Sequence, residues 1–128
     1  MLARDYFESV ARSVRDCRAC QRQLKALVKE DTRCAWAARE RLQSRIESDL
    51  AIIDRAGALI YGGVFDANPD YAHIMWWRYI DDAKWPKVAN MVGCSRWKDE
   101  RDNDRALAAI DSFNTFPKRC TITYPYEY

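Results

Sequence analysis

The sequence predicts an all-α protein: a long antiparallel helical hairpin, a helix-turn-helix lobe, and an irregular C-terminal tail. Three observations predict it. Apolar residues recur at spacings of three and four through two long stretches, residues 2–30 and 33–60. Glycine, asparagine and proline then punctuate Tyr61–Asp70. Beyond that linker, a short amphipathic segment from Trp85 to Val92 runs into Gly93-Cys94-Ser95, a turn followed by a helix cap. The chain therefore divides into a hairpin over 1–60, a linker over 61–70, a helix-turn-helix over 71–113 and an extended tail over 114–128.

Composition sets outer limits. At 128 residues the chain holds one domain's worth of sequence, and 48% hydrophobic residues suffice for a core. The formal charge is only +2, so no overall basic field draws the chain to nucleic acid, and any such contact must come from a local patch. Arg4, Asp5, Glu8 and Arg12 interrupt what a signal peptide would need as an apolar run. The longest uncharged stretch, Ala56–Phe65, is well short of the roughly 18 residues that cross a bilayer. A soluble, cytoplasmic protein without membrane contact is the expectation.

The first helix carries Tyr6, Val10, Val14, Cys17, Cys20, Leu24 and Leu27 on one face. Arg4, Arg12, Arg15, Arg18, Arg22, Lys25 and Lys29 lie between them, either the wet side of a helix or a phosphate-binding surface. Asp31-Thr32 supplies the turn and a cap. The second helix has Ala35, Ala38, Leu42, Ile46, Leu50 (or Asp49 opposite it), Ile53, Ala56 and Ile60 as its stripe. Two such helices bury each other's stripes as a hairpin, which is also a candidate homodimer surface. Cys17-x-x-Cys20 has the spacing of half a zinc site, but no second pair follows and His73 is the only histidine. Both thiols fall on the apolar face, so core packing is the plainer role. Five cysteines (17, 20, 34, 94 and 120) without a leader argue for free thiols.

Asn68 or Asp70 can cap the next helix, with Pro69 in its first turn. That helix, to Ile80, is rich in aromatic and aliphatic residues and needs cover on more than one side. Trp76, Trp77 and Trp85 read as packing residues rather than base-stacking ones. In the next segment Val88 and Val92 face inward, Ala89 is small where helices cross, Gly93 supplies a positive-φ residue and Ser95 caps the third helix. The tail changes character: Thr121-Ile122-Thr123-Tyr124 alternates like an edge strand, with Tyr126 and Tyr128 beyond it.

Arg78-Tyr79, Trp85, Ala89, Gly93-Cys94-Ser95 and Ala106-Leu107 occur in an order and spacing that resemble the sigma-factor region-4 helix-turn-helix, in the version carried by small phage late-gene transcription regulators. Those proteins also place a long helical hairpin before the motif. The resemblance implies DNA binding and transcriptional control through promoter DNA or RNA polymerase. In a recognition helix, Ser95, Arg96, Trp97, Lys98, Arg101 and Arg105 would then meet the duplex, with Lys84 and Lys87 on phosphates.

The resemblance departs at Asp99 and Asp102, which occupy positions where the recognition helix needs apolar anchors. Three resolutions stand: Trp97 replaces the anchor by a rotated helix, Arg101 or Arg105 pairs with the acids, or the motif keeps its shape without DNA affinity. The last case leaves a helical adaptor for phage packaging or polymerase binding. No catalytic order of nucleophile and base and no phosphate-cradling glycine loop is visible, so neither an enzyme nor a cofactor is expected.

Overall fold

The computed structural model describes residues 2–64 and 68–112, and among these every regular element is helical. The expected tail, with Cys120 and its tyrosines, lies outside the described residues. The elements are α1 (Ala3–Leu27), α2 (Arg33–Leu59), α3 (Pro69–Met75), α4 (Trp85–Val92) and α5 (Arg96–Ser112). α2 runs on through a widened π turn at Ile60–Val64, and α3 does the same at Trp76–Ile80. The helical path thus continues into residues where Gly62-Gly63 suggested a break.

Local chemistry explains the helix starts. The Thr32 hydroxyl accepts from the Ala35 amide at 3.0 Å, opening α2. Asn68 Oδ1 accepts from the Asp70 and Tyr71 amides at 3.1 and 3.3 Å, and Pro69 occupies the first turn, where its missing N–H costs nothing.

Two clusters hold α1 to α2. Cys17 and Cys20 are buried against Leu42 and Ile46, with Leu24, Leu27 and Ile53 at the margin. Burial pushes both thiols above their ordinary value, consistent with packing in place of nucleophilic chemistry. The start of α1, through Ala3, Phe7 and Val10, meets the end of α2 at Ala56, Leu59 and Ile60. Full burial of a side chain such as Phe7 or Leu59 contributes roughly 1.5–3 kcal/mol. The stripe breaks at one place: Leu50 is 41% exposed. Asp49, its neighbour, instead lies against Asp16 of α1, whose other side is paired with Arg45.

The second of these clusters is not confined to α1 and α2. Met75, Tyr79, Ala106 and Leu107 join it, with the Phe7 and Tyr79 rings 5.3 Å apart. α5 is tied to the start of α1 twice more. The Ala3 amide donates to Asp111 Oδ1 at 2.8 Å, and Arg4 reaches Asp104 at 2.5 Å. One core therefore draws on the first 60 residues and on the C-terminal helices together. At Gly57 the Trp76 ring lies so close that an added Cβ would meet it at 3.1 Å, tight enough that the ring would have to shift by a few tenths of an ångström. No helix among the described residues is long and apolar enough to cross a membrane.

Candidate nucleic-acid interface

α4 opens on Trp85 and Pro86 and ends on Gly93, whose φ of 80° is the left-handed conformation that glycine adopts without a Cβ penalty. The Gly93 amide donates to the Ala89 carbonyl at 2.9 Å, closing the last turn. Two residues later the Ser95 hydroxyl accepts from the Lys98 amide at 3.2 Å, and α5 begins. Beneath the joint, Val88 is fully buried with Ile74 and Ala83, and Trp77, Trp85 and Val92 pack around them. The tryptophans of this region are thus partly buried packing residues. The Arg78 guanidinium lies 4.8 Å over the Trp85 ring and also donates to the Ala83 carbonyl at 3.1 Å.

The inward face of α5 comprises Asp99, Asp102, Asn103, Ala106 and Leu107, the three-four spacing of an amphipathic helix with polar residues in its first half. Each polar member is held differently. Asp102 is gripped by Lys98 at 2.7 Å and lies 3.8 Å from Arg105. This hydrogen bond raises the Lys98 ammonium above its ordinary value. Asn103 donates from Nδ2 to the Tyr79 hydroxyl at 2.9 Å, a buried bond between α5 and the π turn of Trp76–Ile80. Asp99 is 0% exposed, and neither carboxylate oxygen has a hydrogen-bond partner among the described residues. Burial pushes its carboxyl above the usual carboxylate range, so protonation relieves the cost of an unpaired buried charge.

These facts bear on the first two resolutions of the acidic anchors. Trp97 is 78% exposed, so it does not replace an apolar anchor; the helix is not rotated to bury it. Pairing applies to Asp102 alone, through Arg105 and, unforeseen, through Lys98. Asp99 is left buried without a partner among the described residues, and that burial favours its protonated form. The sequence reading also missed the Asn103–Tyr79 bond. It was legible in principle, because Asn103 stands in the same spacing as Ala106, Leu107 and Ile110.

The eight expected contact residues fall into two groups. Ser95, Arg96, Trp97, Lys98, Arg101 and Arg105 are all exposed along α5 and its cap. Arg96 is 3.5 Å from Glu100 and close to the Trp97 ring, and Lys98 and Arg105 are engaged with Asp102. Arg101 has no ion pair among the described residues. Lys84 and Lys87 lie at the start of α4: Lys87 bonds Asp81 at 3.0 Å, whereas the Lys84 side chain has no partner among the described residues. No family model, no curated protein and no solved structure matches the chain.

Proposed function

We propose that the chain is a helical hairpin carrying a helix-turn-helix, and that it regulates transcription by binding duplex DNA through α5, in the manner of phage regulators that work with RNA polymerase. The observation that supports this most is the joint itself: left-handed Gly93, the Ser95 cap and the buried Val88 between two short-linked helices. That arrangement presents the outer face of α5, with Arg96, Trp97 and Arg101, to the solvent, where a recognition helix meets base edges. Lys84 and Lys87 then touch flanking phosphates and set register.

The test is a mobility shift with duplex DNA at low salt, using the promoter region beside the chain's own gene, with and without RNA polymerase. Arg96→Ala and Arg101→Ala are the informative variants. Lys98→Ala is confounded, because it also strips Asp102 of its hydrogen bond. Weaker binding by both arginine variants, with unchanged melting, supports the reading. Normal binding by both excludes α5 as the reader.

A second reading is favoured by a specific observation. Between Arg96 and Arg105 four cations stand with four acids, and two of the cations are engaged by Asp102. A recognition helix so neutralised suits an adaptor that binds a protein through the hairpin, as a phage packaging or polymerase-binding module does. Retention of a purified polymerase by the chain after Arg96→Ala and Arg101→Ala, without any duplex binding by the parent, favours this second reading.

A further inference from the structure

Away from the outer face of α5, a cleft of about 550 Å³ opens between α1 and the segment that leads into α4. Its walls carry four cations, Arg12, Arg15, Arg78 and Lys84, against two carboxylates, Glu8 and Asp82. The cations come from two parts of the chain that only the fold brings together. Their surroundings distinguish them from an ordinary wet helix face.

The acids of the Asp81-Asp82 corner are already engaged. Asp82, held at a positive φ of 56°, accepts from Arg15 at 2.8 Å. Arg18 donates to the Asp81 carbonyl at 2.9 Å, and Lys87 bonds the Asp81 carboxylate. Arg78 is fixed by the Ala83 carbonyl and the Trp85 ring, which leaves other guanidinium N–H groups to donate. The side chains of Arg12 and Lys84 are the two cations of the cleft with no hydrogen bond or ion pair among the described residues. Two unpaired cations facing one concavity, beside a third that is held rigid, form a site whose charge is not balanced internally.

We propose that this cleft binds a phosphate group, with Arg12 and Lys84 as the direct contacts and Arg78 as a pre-oriented donor. Phosphate is the favoured chemistry because its several charged oxygens accept from more than one cation at once, and arginine matches it bidentately. The volume exceeds what a lone phosphate fills, so the group is attached to something larger. That is either the ester or polyphosphate of a small molecule or the backbone of a nucleic acid. The site is independent of base reading by α5 and overlaps it only at Lys84.

The experiment titrates the full chain at low salt with three probes: pyrophosphate, ATP without magnesium, and a short duplex of arbitrary sequence. Arg12→Gln with Lys84→Gln is compared with Arg22→Gln with Lys25→Gln, which removes the same charge from exposed positions of α1 outside the cleft. The cleft pair is expected to weaken binding of at least one probe by about tenfold or more, the control pair by less than about twofold. Glu8→Gln, which removes an acid from the wall, is expected to tighten it.

Saturable binding of pyrophosphate or ATP with this pattern assigns the phosphate to a small molecule, and stands even if no duplex binds. Binding of the duplex alone with the same pattern assigns it to a nucleic-acid backbone. Duplex binding that the cleft pair leaves intact, without binding of pyrophosphate or ATP, overturns the cleft and the phosphate contact at Lys84 and spares only base reading by α5. Absence of binding to all three probes, or equal weakening by cleft and control pairs, overturns the proposal. Both cleft positions are exposed and unpaired among the described residues, so unchanged melting of the double variant is the control on folding.

Discussion

Two places in the molecule turn aspartates toward other helices, and they solve the same problem by different means. Between α1 and α2, Asp49 faces Asp16. Burial and then the hydrogen bond to Asp16 push the Asp49 carboxyl up to about 6, while that bond and Arg45 draw Asp16 down. Below that value Asp49 carries the proton it shares with Asp16, whose side chain is partly open to solvent. On α5, by contrast, Asp102 is neutralised by Lys98 folding along the helix. Asp99, one turn into the helix from Ser95, is buried with no hydrogen-bond partner among the described residues. Burial raises both the Asp49 and the Asp99 carboxyl; a second carboxyl meets Asp49, a lysine meets Asp102, and no polar group meets Asp99 among the described residues.

The sharpest way to break this contrast is Asp99→Leu. Leucine branches at Cγ as aspartate does, so the substitution removes a buried unpaired carboxyl at the cost of a larger side chain, which the isosteric Asp99→Asn controls for. A gain of about 1–3 kcal/mol in denaturant unfolding at neutral pH is expected. The pH dependence carries the same sign. Burial raises the Asp99 carboxyl in the folded chain, so its stabilising protonation is complete below the ordinary 3.8 and is lost as pH rises through the folded value. The leucine variant should lose that part of the decline toward high pH. Loss of stability in both Asp99→Leu and Asp99→Asn would show that Asp99 has a favourable partner.

Lys98→Ala tests the paired half of the contrast. Asp102 keeps Arg105 at 3.8 Å but loses its 2.7 Å hydrogen bond, and a loss of stability smaller than the Asp99→Leu gain is expected, because the ammonium end is open to water. Combining it with Asp102→Leu should recover most of that loss, which a cycle of unfolding measurements reads directly. Full additivity of the two substitutions would deny the pairing.

Asp49→Asn has the smallest expected effect. Its amide still donates to Asp16 but never ionises. Stability that the parent loses as pH rises from 3.8 through about 6 is retained in the variant. A difference of less than about 1 kcal/mol at pH 8 and none near pH 3 is expected, well short of the full shift because solvent screens the pair. Parallel pH profiles of parent and variant would remove the shared proton from the account.

The helices and their caps were legible because they depend on near neighbours. Val10, Val14, Cys17 and Cys20 repeat at helical spacing, and Thr32, Asn68, Gly93 and Ser95 act on groups within a few residues. Spacing also marked Asp99 and Asp102 as inward, yet it carried no information on what would meet them. That Lys98 curls back to Asp102 while Trp97 stays in solvent depends on packing against α3 and α4. The choice between Asp49 and Leu50 was open for the same reason, since both lie at helical spacing from Ile46 and Ile53, and Asp16 of the facing helix, itself paired with Arg45 of α2, decides it. The phosphate cleft was beyond reach: Arg12 and Lys84 are joined only by the docking of α1 on the Trp76–Ile80 turn.

The central claim is that α5 meets duplex DNA, and the salt dependence of duplex affinity tests it most directly. For the parent chain the logarithm of the binding constant should fall linearly with the logarithm of salt concentration; Arg96→Ala and Arg101→Ala should lower affinity, and Lys84→Ala, at a phosphate contact, should flatten that slope. Absence of binding to any duplex at low salt, or an affinity that the two arginine substitutions leave untouched, would contradict it.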